Sequence, residues 1–143
     1  MSPAPSTPTD IRSLAVSAED VVAAVETNRT SDREAVLRVT PPFSGRMRAR
    51  LHVQVGDGDV DEEVIRIDPE TLLTPDAPAY PRPAETEDDI RTDPDVEYSV
   101  ERHRTRHEAA VEQWRSTLPK SIRDEMTLDT DDGPHDVDVY VLG

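Results

Sequence analysis

A compact α+β domain follows from three observations: apolar residues recurring at helical spacing in two segments, β-branched stretches alternating every second residue, and turn residues between them. The expected order is strand, helix, two to three strands, a long loop, a long helix and two strands. Both main helices are expected on one face of a mostly antiparallel sheet. The length of 143 residues suits one domain over residues 11–143, and residues 1–10, rich in Pro, Ser and Thr, read as a flexible N-terminal tail.

Residues 11–16 read as a short strand. Ser17 can then cap a helix, with Asp20 three residues on, and Val21, Ala24, Val25 and Asn28 share a face that ends near Asn28. Residues 35–40 resume as a β-branched strand, stopped by Pro41 and Pro42, which lack an amide donor. The plainest alternation follows: Met47, Ala49, Leu51, Val53 and Val55 fall on one side, and Arg46, Arg48, Arg50, His52 and Gln54 on the other. Side chains on one side of a strand recur about every 6.6 Å, so an apolar row backs a row of cations.

Gly56 to Asp59 suit a turn, and residues 60–67 a returning strand whose carboxylates would face those arginines in a hairpin. Asp57, Asp59, Asp61 and Asp68 also have calcium-loop spacing. Glu62 stands where that loop needs Gly, and Asp68 where it needs a bidentate Glu, so no dedicated calcium site is expected.

Asp68, Pro69 and Glu70 open a short helical turn. Residues 74–92 are rich in Pro, Asp and Glu without periodicity and read as a long exposed acidic loop. Asp93, Pro94 and Asp95 begin the longest helix, which runs to about Thr117 before Pro119. Its stripe of Val96, Val100, His103, His107, Val111, Trp114 and Leu118 advances in steps of three and four, turning both histidines toward the protein and Arg102 and Arg106 outward. Residues 126–130 and 137–142 form a second hairpin across Asp131, Asp132 and Gly133.

The formal net charge is −15, and fifteen of the sixteen basic residues are Arg, Lys120 being the exception. The charge is uneven: residues 41–55 contain no carboxylate and carry +3, whereas residues 56–95 carry −11. Hydrated carboxylates with guanidiniums, which hold water less strongly than ammonium groups, suit a surface bathed in concentrated salt that screens self-repulsion. No apolar run is long enough to span a bilayer, and the first residues lack the basic start and apolar stretch of a signal peptide; a cytoplasmic chain without a membrane partner is expected. The lack of Cys excludes disulfides, a thiol nucleophile and thiolate metal sites.

The segment Pro41-Pro42-Phe43-Ser44-Gly45-Arg46-Met47-Arg48-Ala49-Arg50, joined to an acidic composition that uses Arg almost alone, resembles the small uncharacterised acidic proteins of haloarchaea. The resemblance covers residues 11–143 and implies a high-salt habitat. It brings no activity with it.

No Gly-rich phosphate loop is present, no catalytic residue is assigned and no cofactor is expected. His103 and His107, four residues apart on a helix, have the spacing to share a metal with His135 or His52, although the Glu of a helical zinc-protease motif is missing between them. Phosphate-dominated binding weakens steeply with salt, and Phe43 is the one aromatic near the arginines, which argues against a nucleic acid. Arginine and aromatic side chains also form salt-tolerant protein contacts. The expected function is therefore a noncatalytic protein-interaction or regulatory domain that meets another protein through Phe43, Arg46, Arg48, Arg50 and His52. The alternative is a small metal-binding protein or metal-dependent enzyme using His103, His107 and His135.

Overall fold

Strand β1, Ser13–Ser17, turns Leu14 and Val16 fully into the core and leaves Ser13, Ala15 and Ser17 half-buried on its other side. The structure is a computed structural model that describes residues 6–54 and 63–143. Helix α1, Ala18–Thr30, follows β1 directly: the Ser17 hydroxyl accepts a hydrogen bond from the Asp20 amide at 3.3 Å, capping the first turn. Val21, Ala24 and Val25 are the buried face of α1, as their spacing requires.

Strands β2, Glu34–Val39, and β3, Arg46–Gln54, pair antiparallel, with Leu37 opposite Leu51 and Arg38 opposite Arg50. The other edge of β3 pairs parallel with β1, Ser13 beside Arg46 and Val16 beside Ala49. On the far side of β1 lies β6, Gly133–Leu142, again parallel, with Ser13 beside Asp138 and Ala15 beside Tyr140. Strand β5, Glu125–Thr130, pairs antiparallel with β6, and β4, Ile65–Ile67, pairs antiparallel with β2. The six-stranded order is β4-β2-β3-β1-β6-β5.

The α+β class holds, but the sheet is mixed rather than mostly antiparallel: three pairings are antiparallel and two, both made by β1, are parallel. The returning strand expected beside β3 instead pairs with β2, because β2 and β1 already occupy both edges of β3. The turn expected at residues 56–59, the start of that returning strand, and Asp57, Asp59 and Asp61 of the calcium-like spacing lie outside the described residues.

A third helix stands where an extended acidic loop was expected. Helix α2, Pro83–Thr92, buries Thr86 and Ile90, one turn apart, and directs Glu85, Glu87, Asp88 and Asp89 away from them. Helix α3, Val100–Thr117, begins later than Asp93 because the Ser99 hydroxyl accepts from the Arg102 amide at 3.0 Å and caps it there. Short 3₁₀ turns occupy Pro8–Asp10, Pro69–Leu72 and Leu118–Ser121. The expected tail is attached from Ser6 onward, its hydroxyl accepting from the Phe43 amide at 2.8 Å, and Ile11 is fully buried.

One core receives Leu14, Val16, Leu37, Val39, Ala49, Val137 and Val139 from the sheet, Val21 and Val25 from α1, and Trp114 from α3. Two side chains fit α1 to the sheet where backbone pairing stops. Asp20 accepts from the Leu51 amide at 3.3 Å, on the part of β3 that runs past the end of β1. Asn28 acts on β2 through both its groups, donating to the Ala35 carbonyl at 3.0 Å and accepting from the Ala35 amide at 2.7 Å. This reproduces a backbone pairing with a side-chain amide.

Replacing Asn28 with Ala removes both bonds and leaves the Ala35 amide and carbonyl to find new partners. The expected loss is about 1–3 kcal/mol, read from urea unfolding. Asn28→Asp keeps only the acceptor and is expected to fall between wild type and Asn28→Ala; a stability order that places it below Asn28→Ala would contradict the two-way clamp.

Candidate functional site

The alternation that buries one face of the sheet leaves the other in solvent. On β3, Arg46, Arg48 and Arg50 are exposed and His52 is half-buried. The cationic surface widens over β2 and β4, where Arg38 stands opposite Arg50 and Arg66 opposite Arg38. The Arg38 guanidinium donates to Nδ1 of His52 at 3.3 Å. Among the described residues, Arg46, Arg48 and Arg50 form no ion pair.

Crossing β1 reverses the sign. Ser13 and Ala15 separate the β3 row from Asp138 and Tyr140 on β6, and the exposed Asp136 and Leu142 continue the β6 row. Glu125 of β5 stands opposite Asp138, while the Thr127 hydroxyl donates to Asp136 at 2.6 Å. The open face thus presents three exposed arginines along β3, with both Arg38 and the exposed Glu34 beside them on β2, is neutral and small along β1, and is acidic over β6 and β5.

Phe43 lies apart from this row. It is 8% exposed and belongs to the core, so its ring is not presented with the arginines.

The paired histidines of α3 do turn toward the protein, where they meet α2. Their rings lie stacked with centroids 6.0 Å apart. Nε2 of His103 donates to the Pro83 carbonyl at 2.8 Å, and Nδ1 of His107 shares a hydrogen bond of 3.0 Å with the Thr86 hydroxyl. His135 sits on β6 and donates to the Ile11 carbonyl. His103 and His107 are thus tied to α2 and His135 to the segment before β1, and among the described residues no group of three His, Cys, Asp or Glu side chains is arranged to hold a metal.

A second polar cluster closes the helical layer. Tyr80 packs edge-on against Trp114 with ring centroids 4.8 Å apart, and the Trp114 indole donates to the Pro78 carbonyl at 3.0 Å. The Tyr80 hydroxyl donates to Glu26 at 2.8 Å, and Arg115 grips the same carboxylate with bonds of 3.0 and 2.8 Å. Arg115 also pairs with Glu112. These contacts join the segment before α2 to α1 and α3.

Comparison with known proteins assigns the whole chain: residues 1–143 match the family described as Domain of unknown function (DUF8009). The chain belongs to that family. No curated protein and no solved structure gives a significant match. The family carries no activity to compare with the geometry, so function rests on the chain's own surface.

Sequence reasoning found the β3 row but not its acidic counterpart. The signal was present, since Asp136, Asp138, Tyr140 and Leu142 recur at the same two-residue period. What the period could not supply was the placement of β6 two strands from β3.

Electrostatics in the Glu26 cluster give a pH test. The Arg115 hydrogen bond holds the Glu26 carboxyl below its usual value against the opposing effect of burial, while burial, aided by the hydrogen bond to Glu26, pushes Tyr80 up to about 12. The Glu26 contribution to stability is present above its unfolded value and is lost as pH falls through the lowered folded one. The Tyr80 contribution is intact below about 10 and is lost as pH rises through about 12. In Glu26→Gln, the tyrosinate absorbance of Tyr80 is expected to appear at lower pH, part of the way back toward about 10. An unmoved Tyr80 transition would leave burial as the sole cause.

Proposed function

We propose that this chain is a noncatalytic protein-interaction or regulatory domain whose contact surface is the open face of the sheet, with Arg46, Arg48 and Arg50 at its centre and His52 beside them. One observation carries the reading. In a chain of net charge −15, three exposed guanidiniums stand together without an ion pair among the described residues. Like charges on one strand side repel, and such a row gains most when a partner supplies acceptors to it. A rigid sheet also holds these side chains at set spacing, so little backbone order is lost on binding.

The acidic half of the same face disfavours a nucleic acid, because Asp136, Asp138 and Glu125 would meet a phosphate backbone laid across the strands. Metal binding has weaker support than a protein contact: His103, His107 and His135 each engage a protein group through a ring nitrogen. The abundance of carboxylate and the near-exclusive use of Arg support a high-salt cytoplasm as the setting.

Immobilised wild-type chain and an Arg46→Ser, Arg48→Ser, Arg50→Ser variant, both checked for native circular dichroism, are to be compared in retaining protein from a native high-salt extract. Retention is expected to fall at least about tenfold in the variant. Equal recovery would remove this surface from the reading.

The setting has its own test. Carboxylates in residues 56–95 and 129–143 repel one another when unscreened, so the thermal midpoint is expected to rise from dilute buffer to molar potassium chloride. An equal midpoint in both would remove the electrostatic basis for a high-salt habitat.

A further inference from the structure

We infer that the partner of the open sheet face is a second copy of this chain, packed face to face about a two-fold axis running along β1. This rests on the proposal that the open face is the contact surface, and it names the occupant. The inference comes from the order of side chains across the three parallel central strands. Arg46, Ser13 and Asp138 stand side by side, as do Arg48, Ala15 and Tyr140. Arg50 and Leu142 follow two residues further along their strands, on the same side.

A two-fold axis parallel to β1 exchanges left for right and keeps each row at its own height. Arg46 of one copy is then set over Asp138 of the other, Arg48 over Tyr140, and Arg50 over Leu142. The three contacts are an ion pair, a cation over an aromatic ring, and an apolar arginine stem against a leucine. An axis perpendicular to the strands in the same plane would instead place arginines over arginines. The charge arrangement therefore favours one of the two in-plane orientations.

Dimensions agree. Strands lie about 4.8 Å apart, so the rows on β3 and β6 are separated by roughly 10 Å across β1. Face-packed sheets are also about 10 Å apart, which an extended Arg meeting an Asp can bridge. Ser13 and Ala15 are small, leaving room along the axis for the arginine stems and the tyrosine ring.

Exposure points to the same place. Among the described residues, Tyr140 at 58% and Leu142 at 42% are two of the four exposed large hydrophobics, and both are on this face. Edge-to-edge association has less to recommend it, since β4 has three residues and the outer strand β5 carries Glu125 and Asp129. Within residues 56–95, Glu85, Glu87, Asp88 and Asp89 are carried by α2 rather than by the sheet. At about 0.15 M salt, repulsion beyond roughly 8 Å is screened while direct pairs persist.

Sedimentation of the full chain at that ionic strength is expected to give twice the 15.9 kDa chain mass. Arg46→Asp and Asp138→Arg each place like charges together twice in the dimer, and each is expected to raise its dissociation constant at least about a hundredfold with native circular dichroism retained. Mixing the two variants is expected to restore a dimer, because a mixed pair sets Asp against Arg at both positions.

Wild type that stays monomeric at about 1 mM overturns self-association, as does a dimer insensitive to both substitutions or a mixture that fails to recover. If such a monomer still loses a different protein on substitution of Arg46, Arg48 and Arg50, self-association falls and the contact-surface reading stands. If that triple substitution changes neither self-association nor retention of other proteins, both fall.

Discussion

Everything in this fold is arranged around a five-residue strand that pairs in parallel with both of its neighbours. Parallel strands cannot be joined by a tight hairpin, so the chain must leave β1 and travel before it returns beside it. The first return uses α1 and β2 before β3 arrives. The second takes the rest of the molecule, including α2 and α3, before β6 closes the other side. Leu14 and Val16 can be fully buried because these connections bring helices to their face, and burial of such side chains is worth about 1.5–3 kcal/mol each relative to exposure. The open face is the counterpart of that arrangement: with core side chains on one side of the strands, the other is left to residues that tolerate water.

Charge then acts on a surface whose spacing is already set. A flexible segment could move three guanidiniums apart, but Arg46, Arg48 and Arg50 are held at every second position of one strand. Segregation of Arg from Asp and Glu across the strands also gives this face a direction. It can discriminate between orientations of a charged body laid upon it, through like-charge penalties as much as through attraction.

The sequence was most legible where one face is buried and the other wet. The alternation from Arg46 to Gln54 and the cap at Ser17 both express local geometry, and both appear in the structure. The two inward histidines were likewise legible from helix spacing, yet their partners Pro83 and Thr86 were not, because those belong to a helix with little apolar signal of its own. Helix α2 buries only Thr86 and Ile90 among residues that otherwise read as acidic loop. Strand order depends on contacts between residues more than a hundred positions apart, such as Leu14 with Val139, and no local period reports them. Phe43 shows the limit of reasoning from neighbours in sequence: adjacency to a cationic strand suggested a shared surface, whereas its ring enters the core.

The amide of Asn28 has a consequence for how the connection after α1 can vary. By fixing the Ala35 amide and carbonyl together, it sets the start of β2 from within the helix and relieves the intervening backbone of that task. Ser31, Asp32 and Arg33 lie in an exposed polar turn. Lengthening that turn would add closure entropy only slowly, while the side-chain clamp would continue to hold the strand's register. The connection can therefore accept a peptide insert, such as an affinity tag or a dye-bearing residue, with the start of β2 still held by the helix.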